Sequence, residues 1–175
     1  MTFSVITWSI GAGLKPSGMK SGRISLANAS QKSPSTNIQP TLDVLFLEAF
    51  EGRGVRVSRE TGEGVGSLDF CFSHNLPDGK LLKVNLEVKL AHHKRIEHGL
   101  RRQLVGYLKA NRSRHGVFLV LWFKDEKGLH FKQPAGTKTE LLHFLQTASE
   151  DAMNEEGMSI TPVLIDASIK ESASI

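Results

Sequence analysis

The sequence predicts a mixed α/β domain in which a central sheet is covered by helices. Three stretches carry that expectation. From Leu82 to Leu90, apolar and polar residues alternate with the period of a strand. From Lys94 to Asn111, Ile96, Leu100, Leu104, Tyr107 and Leu108 form one stripe at helical spacing. From Val117 to Phe123 the chain is an unbroken apolar run, the pattern of a strand buried on both faces.

The elements follow in order. Thr41 to Glu51 reads as a helix, with Thr41 as N-cap, Asp43 in the first turn, and Gly52 and Gly54 ending it. Leu42, Leu45 and Ala49 share its apolar face, and Glu48 lies at the edge of that face. Val55 to Arg59 begins a strand. Thr61 to Gly66 is a turn-rich bend without the spacing of a phosphate-binding loop. Ser67 to Ser73 is the next strand, with Leu68, Phe70 and Phe72 facing one way and Asp69 and Cys71 the other. Pro77-Asp78-Gly79 turns the chain back into the Leu82 to Leu90 strand. The Lys94 to Asn111 helix and the Gly116 to Phe123 strand follow. Asp125 to Gly136 reads as a polar loop, Thr139 to Asn154 as a helix, and Ile160 to Ile165 as a strand that Pro162 marks as an edge. Residues 1–40 read as a loose tail or linker, 41–168 as the domain, and 169–175 as a second tail; Thr2 to Ile10 is either a docked strand or a remnant of a larger upstream piece.

Composition bounds the function. The 175 residues suit one domain, and 39% hydrophobic with 23% charged residues is the balance of a soluble globular chain. No apolar run approaches the ~20 residues of a membrane span, and the first residues lack the pattern of a signal peptide. The single cysteine, Cys71, excludes an internal disulfide and a cysteine-rich zinc cluster. These features set the expectation of a cytoplasmic protein without membrane partners. The net charge of +4 is unevenly placed. Between Lys89 and His115 the chain carries eight Lys and Arg residues and one acid, Glu97, whereas Glu150, Asp151, Glu155 and Glu156 collect later. The basic stretch is either a solvated face or a surface for phosphates.

The chemistry centres on Leu86-Glu87-Val88-Lys89. Glu87 and Lys89 are two apart on a strand, so they share a face. The hairpin brings Asp69 to the neighbouring strand, on the face opposite the large apolar residues. Two carboxylates placed together repel and push one pKa up, and a divalent cation resolves that conflict. Lysine beside such a site stabilises a hydroxide or developing phosphoryl charge. Gln103 and Tyr107 are adjacent on their helix. His92 and His93, being neighbours, cannot share a strand face and read as loop residues.

Gly66-Ser67-Leu68-Asp69-Phe70, Leu86-Glu87-Val88-Lys89 and Gln103-Leu104-Val105-Gly106-Tyr107 together resemble the PD-(D/E)xK nuclease superfamily, particularly its RecB-like branch with a QxxxY motif. Leu68 stands where that family often has proline. The resemblance spans Thr41 to Phe123. It implies a restriction-endonuclease-like core of order αβββαβ, followed here by a helix and a strand. It also implies Mg²⁺ or Mn²⁺ held by Asp69 and Glu87, with Glu48 as the first-helix glutamate of the site; by coordination chemistry the Val88 carbonyl is a further candidate ligand. Lys89 would assist the attacking water, and Gln103 would hold a phosphate or orient Lys89. The expected activity is metal-dependent hydrolysis of DNA, with Lys94, Arg101, Arg102, Tyr107 and Lys109 contacting the nucleic acid. A homodimer, or association with a larger defence or repair assembly, is compatible with this. The alternative is a catalytically idle module of the same fold that binds nucleic acid or a partner protein.

Overall fold

The structure is a computed structural model and describes residues 34–59, 69–123 and 132–168. The expectations for Thr2 to Ile10, the bend at 61–66, most of the 125–136 loop and the tail at 169–175 lie outside the described residues. The elements are α1 (Pro34–Phe50), β1 (Val55–Ser58), β2 (Phe70–Asn75), β3 (Leu81–Leu90), a helical segment, β4 (His115–Trp122), α4 (Lys138–Glu156) and β5 (Ser159–Asp166). The helical segment comprises α2 (Ile96–His98), a π-helical stretch (Gly99–Leu104) and α3 (Val105–Ala110). The order expected from the sequence is therefore found, in a five-stranded mixed sheet of order β1-β2-β3-β4-β5. β1, β2 and β3 pair antiparallel, whereas β3–β4 and β4–β5 are parallel.

Local chemistry explains these choices. The β2–β3 hairpin closes with Leu76 N–H donating to Lys80 O at 2.8 Å, and Gly79 supplies the positive φ of 80° that the turn needs. Parallel pairing of β3 and β4 requires a crossover, which the helical segment provides. α4 starts with a capping box between Thr137 and Glu140. β5 lies at the sheet edge, where Pro162 is tolerated.

Both faces of the sheet are covered. Against one lie Leu42, Phe70, Leu86, Val88, Leu90, Leu119 and Leu121, with Ile38 and Phe46 of α1. Against the other pack Leu100, Leu104, Tyr107 and Leu108 of the helical segment and Leu145, Ala148 and Ala152 of α4. Full burial of a side chain such as Phe118 stabilises by about 2–3 kcal/mol.

Three features differ from the sequence reading. α1 begins at Pro34 rather than Thr41, with Pro40 inside it, so a domain boundary at residue 40 cuts a helix. Its buried side is Ile38, Leu42 and Phe46; Leu45 is 53% exposed and Ala49 is exposed. The second half of β3 has no solvated face: Asn85 and Glu87 on its polar side are as buried as Leu86 and Val88 on the other, whereas Leu81 and Leu82 at its start are exposed. Among the described residues, no helix is long and apolar enough to cross a membrane.

Candidate metal centre at the β2–β3 rung

The β2–β3 register pairs Phe70 with Leu86, so the next rung sets Asp69 opposite Glu87. Asp69 ends the ladder with its side chain: the Val88 N–H donates to Asp69 Oδ2 at 2.7 Å. The Gln39 amide, reaching across from α1, donates to Asp69 Oδ1. Both oxygens are thus oriented by neighbours, as ligating carboxylates commonly are. Burial raises the Asp69 pKa, against the Val88 hydrogen bond, the Lys89 charge, Gln39 and Arg59, all of which lower it.

Glu87 is only 2% exposed. Its Oε1 receives the Lys89 ammonium at 2.5 Å, and its Oε2 has no hydrogen-bond partner among the described residues. Burial first, then the charge of Asp69, pushes its pKa up to about 7, against the opposing pull of Lys89. The conflict between two neighbouring carboxylates, expected from the strand pattern, is therefore present in this geometry.

The helical segment closes over this rung. A Cβ at Gly99 would stand 2.8 Å from Lys89 Cε and 3.3 Å from the Phe118 ring, so only glycine leaves Lys89 this path. Gly99 opens the π-helical stretch, a local irregularity that often accompanies functional sites. Tyr107 is buried and its hydroxyl has no partner among the described residues; burial, then Glu87 and Asp69, push its pKa up. Asn85 lies two residues before Glu87 on the same face, fully buried, with neither amide atom hydrogen-bonded among the described residues.

The structure brings together Asp69, Glu87, Lys89 and the Val88 backbone, the last through its N–H. It does not bring Glu48 there. Glu48 is exposed and lines a surface groove with Leu47, Phe50, Gly54 and Val55. It lies nine residues after Gln39, about 13 Å along the helix axis. Gln103 is half-buried in the π-helical stretch. Tyr107 is too buried to be an open surface contact. Arg101 is held by Asp151 at 2.7 Å and Glu97 at 3.5 Å, and Lys109 by Glu156 at 2.8 Å, so the basic stripe docks in part on α4. Lys94 and Arg102 are exposed. His92 and His93 are half-buried, with pKa values lowered chiefly by burial, which disfavours a charged phosphate contact.

Sequence reasoning missed Gln39, Asp43, Arg59 and Asn85. The Arg59 guanidinium lies 3.3 Å from Gln39 Oε1 and 3.8 Å from Asp43 Oδ2. The i, i+4 spacing of Gln39 and Asp43 was available, but only once the helix was started before residue 40. Asn85 was visible as i−2 from Glu87.

Among the described residues, no group of three or more His, Cys, Asp or Glu is placed to hold a metal ion. The Asp69–Glu87 pair offers two carboxylates and one unpartnered buried oxygen. That set fits Mg²⁺, which takes one or two carboxylates and keeps several waters.

Fold and site define a mixed α/β domain with an acidic pair, Glu87 buried and Asp69 half-buried, and a lysine at one strand end. A family model described as "Domain of unknown function (DUF8371)" matches residues 20–125, and the chain belongs to that family. The match contains every residue of the Asp69–Glu87 cluster and ends after β4. A comparison with curated proteins gave no match.

Proposed function

We propose that this chain is a Mg²⁺- or Mn²⁺-dependent deoxyribonuclease of the PD-(D/E)xK type, with a restriction-endonuclease-like core. The observation that carries the reading is the meeting of Asp69 and Glu87 on adjacent strands, with Lys89 on Glu87 Oε1 and Oε2 left without a partner among the described residues. A buried acidic pair costs stability unless something positive shares it. Lysine supplies one positive charge to two carboxylates. The element order, with the acidic rung at the crossing of a hairpin and a βαβ crossover, supports the same reading.

Asp69 and Glu87 would hold the cation, with Asp69 fixed by Val88 N–H and Gln39. When bound, the cation supplies Lewis acidity and a nucleophile at neutral pH. Lys89 then faces the reacting phosphate with its ammonium and offsets the charge that develops on the phosphoryl oxygens. In hydrolysis, water oxygen bonds to phosphorus, the bond from phosphorus to the leaving sugar oxygen breaks, and that oxygen takes up a proton. The Phe118 and Tyr107 rings and the helical segment keep bulk water from the inner side of the pair.

A second reading, an idle module of the same fold, is favoured by one observation. Arg101 and Lys109 already have carboxylate partners on α4, which leaves less free positive surface for DNA than the sequence suggests. Incubation of the purified protein with plasmid and linear DNA in Mg²⁺, Mn²⁺ or EDTA separates the two. The nuclease reading expects cleavage with either metal, none in EDTA, and none by Asp69→Ala or Glu87→Ala. Undiminished cleavage by those variants, or none by the wild type, contradicts it.

A further inference from the structure

Arg59 follows β1 immediately and points its guanidinium toward the carboxylate rung from the side of α1. Its contacts are loose for an arginine: a neutral amide at 3.3 Å and a single carboxylate at 3.8 Å, with the side chain 43% exposed. A guanidinium has five donors in a fork suited to phosphate, and among the described residues these two contacts leave most of them free. Lys89 approaches the same rung from the other face of the sheet, beneath Gly99. Asp69 lies between them in the plane of the sheet, because its side chain takes the N–H of Val88 where a backbone carbonyl would continue the ladder. The acidic pair is thus flanked by one buried and one exposed positive charge, on opposite faces of one strand end.

We propose that Arg59 is a substrate-binding residue that takes a backbone phosphate next to the scissile one, so that the nucleic-acid strand crosses the end of β2 and β3 from Arg59 towards Lys89. This rests on the nuclease reading and adds a direction and a contact that the sequence did not suggest. Lys89 is nearly enclosed, with its side chain 14% exposed, so it suits the reacting group; Arg59 is open and suits a neighbour. Gln39 ties the two functions together. Its amide oxygen accepts from Arg59 while its amide nitrogen donates to Asp69, so a phosphate drawn to Arg59 is registered against the carboxylate that orients the cation.

The test is binding of a labelled DNA duplex to the full chain in EDTA, measured against salt, for wild type, Arg59→Ala and Arg59→Lys. Thermal melts confirm that each variant folds. Arg59→Ala should weaken binding and flatten the plot of log affinity against log salt by about 0.9, the value for one lost phosphate contact on duplex DNA. Arg59→Lys should keep the slope, since the charge is retained. In the cleavage assay, Arg59→Ala should raise KM several-fold and leave kcat close to wild type. An unchanged salt slope in Arg59→Ala overturns the proposal. So does loss of Mn²⁺ affinity with the slope intact, which would make Arg59 a mere support for Gln39 and Asp69. Failure of the nuclease reading looks different: salt-dependent binding through Arg59 with no cleavage by the wild type in any metal.

Discussion

At the scale of single residues, Glu87 decides most. A carboxylate 2% exposed beside another is held neutral more easily than charged, so its pKa rises from the ordinary 4.5 to about 7. The metal-free folded protein therefore keeps a proton on Glu87 that the unfolded chain loses. The associated stability is complete below pH ~4.5 and is lost as pH rises through about 7. At about 1.4 kcal/mol per pH unit, the loss across that window is on the order of 3 kcal/mol. Asp69, also raised by burial, acts in the same direction. Asp78, Glu140 and Asp166 have lowered pKa values, so their opposing contributions change only at more acidic pH. His92 and His93, lowered by burial from 6.5, also oppose Glu87, but only below that pH. Melts in EDTA should accordingly show Tm falling between pH 6.5 and 8, Mn²⁺ restoring it at pH 8, and Glu87→Gln flattening that fall. A Tm in EDTA that rises over this range would contradict the assigned burial of the pair.

At the scale of elements, the helical segment sets where Lys89 goes. Its first π-helical residue is Gly99, and an added Cβ would meet the flexible end of Lys89 before anything else. That atom moves easily, while alanine gains about 1 kcal/mol of helix propensity over glycine. Gly99→Ala should therefore leave Tm nearly unchanged and still lower the single-turnover cleavage rate, because the ammonium is displaced from Glu87. Its defect should match that of Lys89→Ala, with Mn²⁺ affinity kept in both. Wild-type cleavage by Gly99→Ala would remove the helical segment from the account of the site.

The same scale shows what the sequence made legible. Alternation through β3, the hairpin turn and the apolar run of β4 gave the strands and the Asp69–Glu87 rung. These signals are local, and the period of 2 leaves no choice of face once the register is set. α1 was harder. Pro40 reads as a boundary because it cannot donate to the carbonyl of Thr36, yet the helix passes through it and begins at another proline, Pro34. Starting late shifted the apparent apolar face to Leu45 and Ala49 and drew attention to Glu48, when Ile38, Leu42 and Phe46 pack and Gln39 reaches the site. A stripe chosen from a helix with many apolar residues is ambiguous by one position, and one position is 100° of rotation.

At the scale of the whole molecule, charge is shared between layers. The acids of α4 were visible in the sequence as a separate cluster, as was the basic stripe of the crossover helix. Their pairing depends on both elements packing against one face of the sheet, which no local pattern encodes. Lys94 and Arg102 of the stripe stay exposed, and at the end of β2 and β3 Arg59 is exposed while Lys89 is enclosed. The layers thus concentrate unsatisfied polar chemistry at one rung: a buried Glu87, a half-buried and oriented Asp69, and a lysine reaching only one Glu87 oxygen.

The central claim is that this rung is one divalent-cation site. Calorimetric titration of Mn²⁺ into the metal-free full chain at pH 6.5, where Glu87 still holds its proton, repeated for Asp69→Ala and Glu87→Ala, tests it without reference to any substrate. The account predicts one site in the wild type, loss of that binding in both variants, and proton release on binding as Glu87 gives up its proton. No Mn²⁺ binding by the wild type, or an affinity unchanged in either variant, would contradict it.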